Sequence, residues 1–142
     1  MRPISPHLAA RKAGDELTVK KIAQFCDGFS NYDNLLIEGA GGLFVPLSDQ
    51  ETWLDFLKIT GIPVILVVGI KLGCINHALL TDEVLRMHGI PCFGWIANHL
   101  DTNVLYPDGI IRTLMNKMTM QFLASGAYCG IISDIKRFSG DD

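Results

Sequence analysis

The sequence has no Gly-Lys-Ser or Gly-Lys-Thr tripeptide, no Cys-x-x-Cys pair, no basic run and no apolar segment of membrane length. Each absence removes a class. Without G-x-x-x-x-G-K-[ST] there is no Walker A loop to cradle phosphates, and without G-x-G-x-x-G there is no dinucleotide fingerprint. The cysteines, Cys26, Cys74, Cys92 and Cys129, are widely spaced. They read as reduced thiols of a cytosolic protein, not as a disulfide framework or a zinc site. Twelve basic residues are scattered against fifteen acidic ones, for a net charge of −3. That distribution argues against nucleic acid as a partner. The longest apolar run, Ile62 to Ile70, is broken by Pro63 and Gly69; a membrane span needs about 20 residues. The opening MRPISPHLAARK lacks the apolar core of a secretion signal, so a cytoplasmic location is expected.

What is present is hydrophobic: 49% of the residues, with only 19% charged, in a chain of 142. That length suits a single domain spanning 1–142. The apolar content points to strands buried on both faces or to a large subunit interface.

The pattern along the chain alternates. Residues 15–30 place Leu17, Ile22, Phe25, Cys26 and Phe29 near a helical period. Asn34 to Glu38 reads as a short strand and residues 51–60 as a short helix. Pro63 opens VILVV, rich in β-branched residues, which reads as a buried parallel strand. A helix from about Asn76 to His88 is stopped by Gly89. A strand from Cys92 to Ala97 and a helix from about Asp108 to Met118 follow, and Phe122 to Ile132 is open between strand and loop. Such alternation predicts an α/β fold, a mostly parallel sheet with helices on both faces.

Ligands of such sheets sit at the carboxyl ends of strands. Three strand ends therefore matter. In LLIEGAGGLFVPL, Glu38 follows an apolar run and precedes Gly39, Ala40, Gly41 and Gly42. The acid is either a solvated loop residue or a ligand for Mg²⁺, which prefers hard oxygens. The glycines form either a plain turn or an anion nest of free N–H groups. In GIKLGCINHALLT, Asn76 is a favourable N-cap, and the amides of His77, Ala78 and Leu79 would be unpaired. This is either an ordinary capped helix or a seat for a carboxylate or phosphate. Lys71 and His77 read more simply as solvated or packed groups. In WIANHL, Asn98 lies beyond the strand, where its amide could pair with adenine.

Taken together, SPHLAA at 5–10, LLIEGAGGLFVPL at 35–47, PVILVVGIKLGCINHALLT at 63–81 and GWIAN at 94–98 closely resemble dethiobiotin synthetase, a P-loop class ligase of biotin biosynthesis. The resemblance covers most of residues 3–115. It implies a cytoplasmic homodimer that closes a ureido ring on 7,8-diaminopelargonic acid (7,8-diaminononanoate) with CO₂, ATP and Mg²⁺. The family route passes through a carbamate that is phosphorylated and then attacked by the second amine.

By the same resemblance, Glu38 would be the acid on Mg²⁺, and Glu38, Gly39, Ala40 and Gly41 would line the nucleotide and reacting carbamate. Asn98 and His99 would meet adenine, although the family usually carries an acid where His99 stands. Gly41, Cys74, Ile75 and Asn76 would hold the substrate, its carboxylate at the helix-start amides. The family's C-terminal Gly-x-x-Pro-aromatic pattern is reduced here to FLASGAYCG, with Ala124 and Ala127 and only Tyr128 in common.

The larger departure is that no counterpart exists here of the family's Walker A lysine and threonine, second catalytic lysine and metal-binding aspartate. No catalytic residue is therefore expected within these residues, and Met1 is expected to fall in the middle of a full-length enzyme. A sheet lacking the phosphate-loop strand is expected to be marginal or prone to association. Two readings follow: the carboxyl part of a dethiobiotin synthetase, or a catalytically dead remnant that serves as a dimerisation and ligand-binding module. A third reading, an amidoligase like the cobyrinic acid amide synthases, fits the acid-glycine strand end but not CINHALLT.

Overall fold

The structure is a computed structural model that describes residues 4–29, 33–39 and 41–126. The chain divides into two compact units, Met1–Ile62 and Pro63–Asp142.

The first unit contains helices α1 (Pro6–Lys12), α2 (Val19–Asp27) and α3 (Trp53–Thr60). Helix α1 was not legible in the sequence because it buries none of its residues and so carries no apolar stripe. Helix α2 begins where Thr18 Oγ1 accepts from Lys21 N at 3.2 Å, and Glu51 Oε2 accepts from Val19 N at 2.9 Å. These bonds satisfy amides that a helix start leaves free. They also bring Val19 into a core with Leu47 and Phe56, with Ile22, Cys26, Ile37, Trp53 and Leu57 packed around it. Helix α3 begins with Asp55 Oδ2 accepting from Thr52 N and Thr52 Oγ1, both at 2.8 Å. The backbone bond, then the hydroxyl bond, holds the Asp55 carboxyl below the usual carboxylate range. Gly61, at φ 62°, ends the helix in the left-handed conformation that glycine adopts without steric cost.

The expected strand from Asn34 to Glu38 is not formed. Residues 33–39 are irregular, with Leu36 89% exposed. A strand must pair its backbone groups with a neighbour, and among the described residues none pairs with this segment. Only Ile37 packs on the core.

The second unit runs β1 (Val64–Ile70), α4 (Cys74–Met87), β2 (Cys92–His99), α5 (Pro107–Lys117) and β3 (Phe122–Gly126). The strands form a parallel sheet in the order β1-β2-β3, so the parallel α/β architecture expected from the sequence is observed. The first five residues of the ambiguous segment from Phe122 are a strand; the remainder, with Ala127 and Tyr128, lies outside the described residues. Two right-handed crossovers stepping the same way across a sheet place both helices on one face, and α4 and α5 pack on each other and on β1.

Alternation along the strands follows from that placement. Val68, Ile70, Trp95 and Ala97 are buried, whereas Ile65 and Val67 remain exposed on the opposite face of β1. Gly94 adopts φ 145° beside a register irregularity in β2. A Cβ there would stand 2.4 Å from the Gln121 carbonyl oxygen, so only glycine fits.

Candidate functional site

The carboxyl edge of the sheet is built by β1 and β2. In their parallel register Gly69 stands opposite Asn98 and Ile70 opposite His99. Asn98 also faces Gly126 of β3, so its amide has a residue without a side chain on either hand. The Leu100 side chain covers Gly69, where a Cβ would meet Leu100 Cδ1 at 2.5 Å. Asn98 is half-buried and lies within β2, not beyond it as the sequence suggested; the ladder to β1 carries the strand through His99. The His99 Nε2 and Ser125 Oγ are 3.0 Å apart, which joins the ends of β2 and β3. Ser125 gave no sequence signal, because this contact depends on strand register alone.

After β1 the chain turns through Lys71 to Gly73 into α4. Gly73, at φ 87°, is the N-cap, and Cys74 N donates to Lys71 O at 3.1 Å. The helix therefore starts two residues before Asn76, which is an exposed residue of the first turn and not the cap. A glycine able to adopt positive φ closes the turn earlier than the asparagine could. The unpaired amides shift accordingly. His77 N donates to Gly73 O at 3.5 Å, and among the described residues the N–H groups of Ile75 and Asn76 have no protein acceptor. Two free amides at the positive end of a 14-residue helix suit a carboxylate or phosphate.

The remaining expected site residues belong to the first unit. Glu38 is exposed and Gly39 passes over the Trp53 indole, where a Cβ would lie 3.6 Å from the ring. Gly41 has φ 85°, and a Cβ on it would meet Val45 Cγ2 at 2.7 Å, so this position excludes side chains on two counts. Val45 N donates to Gly42 O at 3.0 Å and closes the loop, while the N–H groups of Gly41 and Gly42 have no acceptor among the described residues. Ala40 lies outside the described residues.

No cluster of three or more His, Cys, Asp or Glu capable of holding a metal exists among the described residues. A lone exposed carboxylate is compatible with Mg²⁺, which retains several waters and takes one or two carboxylates together with substrate phosphates. Cys26, Cys74 and Cys92 are free thiols. Burial and, secondarily, the charge of Asp82 push the Cys92 thiol up, which disfavours a reactive thiolate.

These features can be set beside known proteins. The family model described as AAA domain matches residues 1–125. The chain belongs to this family. Within it, the chain is similar to the ATP-dependent dethiobiotin synthetases BioD of Legionella pneumophila strains Paris and Corby, each 57% identical over 135 residues. These alignments cover 94% of this chain and 64% of the relative. The enzyme of the same name from Francisella tularensis subsp. holarctica strain LVS is 46% identical over 113 residues, covering 78% of this chain and 52% of the relative. The chain thus spans less than two thirds of the length of these relatives. No helix among the described residues is long and apolar enough to cross a membrane.

Proposed function

We propose that this chain supplies part of an ATP-dependent dethiobiotin synthetase, which converts 7,8-diaminononanoate, CO₂ and ATP to dethiobiotin, ADP and phosphate. Support comes from 57% identity to enzymes of that name across 94% of the chain. The single structural observation that carries the reading is the pair of amides, Ile75 and Asn76, which have no protein acceptor among the described residues and open α4 at the carboxyl edge of a parallel sheet.

In this reading each group has a task. The Ile75 and Asn76 amides and the Asn76 side chain, with Cys74 beside them, hold the substrate carboxylate and fix the distal diamine by its tether. Asn98 presents donor and acceptor to the adenine edge, and His99, held by Ser125, flanks it. Glu38 is the carboxylate that would hold Mg²⁺, an ion that neutralises phosphate charge when bound. Among the described residues the N–H groups of Gly41 and Gly42 have no competing protein acceptor and can receive an anionic oxygen. The sequence contains no Gly-Lys-Ser/Thr, so the groups that grip the β- and γ-phosphates are assigned to residues outside it. A homodimeric, cytoplasmic assembly is part of the same proposal.

The missing Walker motif also favours a second reading, a module that binds the diamino acid and pairs with another chain without turnover. The two separate in one set of assays: ATP-dependent dethiobiotin formation, and calorimetric titration with 7,8-diaminononanoate. Under the first reading Glu38→Gln abolishes turnover, and Asn76→Ala raises the KM for the diamino acid more than that for ATP. Binding without turnover under any pairing of chains supports the module. Absence of both binding and turnover overturns the two together.

A further inference from the structure

Helix α4 carries one residue that its packing does not call for. Its buried positions are Cys74, Ala78, Asp82 and Leu85, a single stripe at helical spacing. Three of these are small or apolar. The fourth is a carboxylate only 4% exposed. Asp82 Oδ2 accepts from Thr119 N at 2.7 Å, and Asp82 Oδ1 accepts from Thr119 Oγ1 at 2.8 Å. A buried acid costs desolvation that an apolar side chain of similar size avoids, and replacing such groups by packed hydrophobic residues is often neutral or stabilising. Its advantage is directional: two bonds to one residue fix the position of the helix along its axis, which apolar contact alone does not.

Thr119 has a second tie close by. Two residues on, the Gln121 carbonyl accepts from Trp95 N at 2.8 Å, so the segment between α5 and β3 is fastened to α4 on one side and β2 on the other. The first turn of α4 carries the amides of Ile75 and Asn76, which have no acceptor among the described residues, and the end of β2 carries Asn98 and His99. A shift of α4 along its axis would move the amides relative to the edge of the sheet.

We propose that Asp82 is a positioning residue for substrate binding: through Thr119 it locks the register of α4, and so the placement of the helix-start amides that receive the substrate carboxylate. This rests on the carboxylate reading given above. Asp82 touches no substrate atom itself.

The test compares 7,8-diaminononanoate with its methyl ester by calorimetric titration of the full chain. The wild type binds the acid more tightly than the ester. Asp82→Ala weakens binding of the acid about tenfold, as expected for a misplaced anchoring group, and leaves the ester unchanged. Asp82→Asn retains an acceptor oxygen and restores most of the preference. Thr119→Val, which keeps the backbone N–H and loses the hydroxyl, falls between. Should Asp82→Ala fail to fold, Asp82→Asn and Thr119→Val carry the same comparison, with a measurable loss of acid preference in Thr119→Val as the required result. Equal weakening of acid and ester, or no change in the preference, overturns the positioning role. A wild-type chain that does not distinguish acid from ester fails at the earlier step and overturns the carboxylate reading along with the proposal built on it.

Discussion

Val64–Val68 and Leu35–Ile37 are both short apolar runs with glycine within two residues of their ends, and they meet different fates. The first lies within β1, paired residue by residue with β2. The second is irregular, with Leu35 and Leu36 exposed. Composition marks a segment as able to be a strand; a ladder partner decides whether it becomes one. Around β1 the sequence supplies two crossover helices and two further strands within 63 residues, Val64 to Gly126. Around Leu35–Ile37 the first unit supplies helices and turns, and only Ile37 finds a core to join.

Three substitutions test this contrast, in falling order of effect. Gly94→Val attacks the ladder itself, since a Cβ at φ 145° would stand 2.4 Å from the Gln121 carbonyl oxygen and 2.6 Å from Leu123 Cδ2. Backbone strain and overpacking together are expected to cost more than about 4 kcal/mol, read as loss of the cooperative urea transition of the second unit. A transition within experimental error of the wild type would mean that the strand does not depend on this close approach.

Asp55→Asn probes the first unit at the local polar bonds that begin α3. The Asp55 carboxyl is lowered by its bonds to Thr52. Its contribution is therefore fully present above the unfolded carboxylate value and disappears as pH falls through the lower folded value. The substitution should cost about 0.5–1 kcal/mol near neutrality, the scale of a helix cap. The difference from the wild type should vanish in acid. A pH-independent difference would locate the effect elsewhere.

Leu36→Ser should change stability by less than about 0.5 kcal/mol, because the side chain is 89% exposed. Amide exchange at residues 34–37 should be fast in both proteins while residues 66–69 stay protected. Protection at 34–37 would show that the segment has found a ladder after all.

The second unit was the more legible in sequence because its signals agree. VILVV, the glycine after α4 and the apolar spacing of α5 all specify the same alternation, and the observed boundaries differ from the expected ones by only one or two residues. Helix α4 starts at Cys74, two residues before the start that asparagine's capping preference suggests, because Gly73 adopts the left-handed conformation and caps the helix first. Helix α1 left no trace, being short and unburied. Asp82 was readable in principle: an acid spaced four residues beyond Ala78 and three before Leu85 interrupts an otherwise nonpolar stripe. Its partner Thr119 was not, because 37 residues separate them and only the tertiary fold brings them together. The glycines near Glu38 were recognised for their conformational freedom, but the Trp53 ring beneath Gly39 was not foreseeable from spacing.

The two tryptophans of the chain fall one to each unit, Trp53 in the first and Trp95 in the second. Both indole nitrogens are buried without a protein hydrogen-bond partner among the described residues, and Trp95 is wholly shielded from solvent, edge-on to Phe122 at a centroid separation of 4.9 Å. Each unit thus contains its own intrinsic fluorophore. Replacing either by phenylalanine leaves a single emitter, and its spectral shift then follows the melting of one half of the molecule without interference from the other.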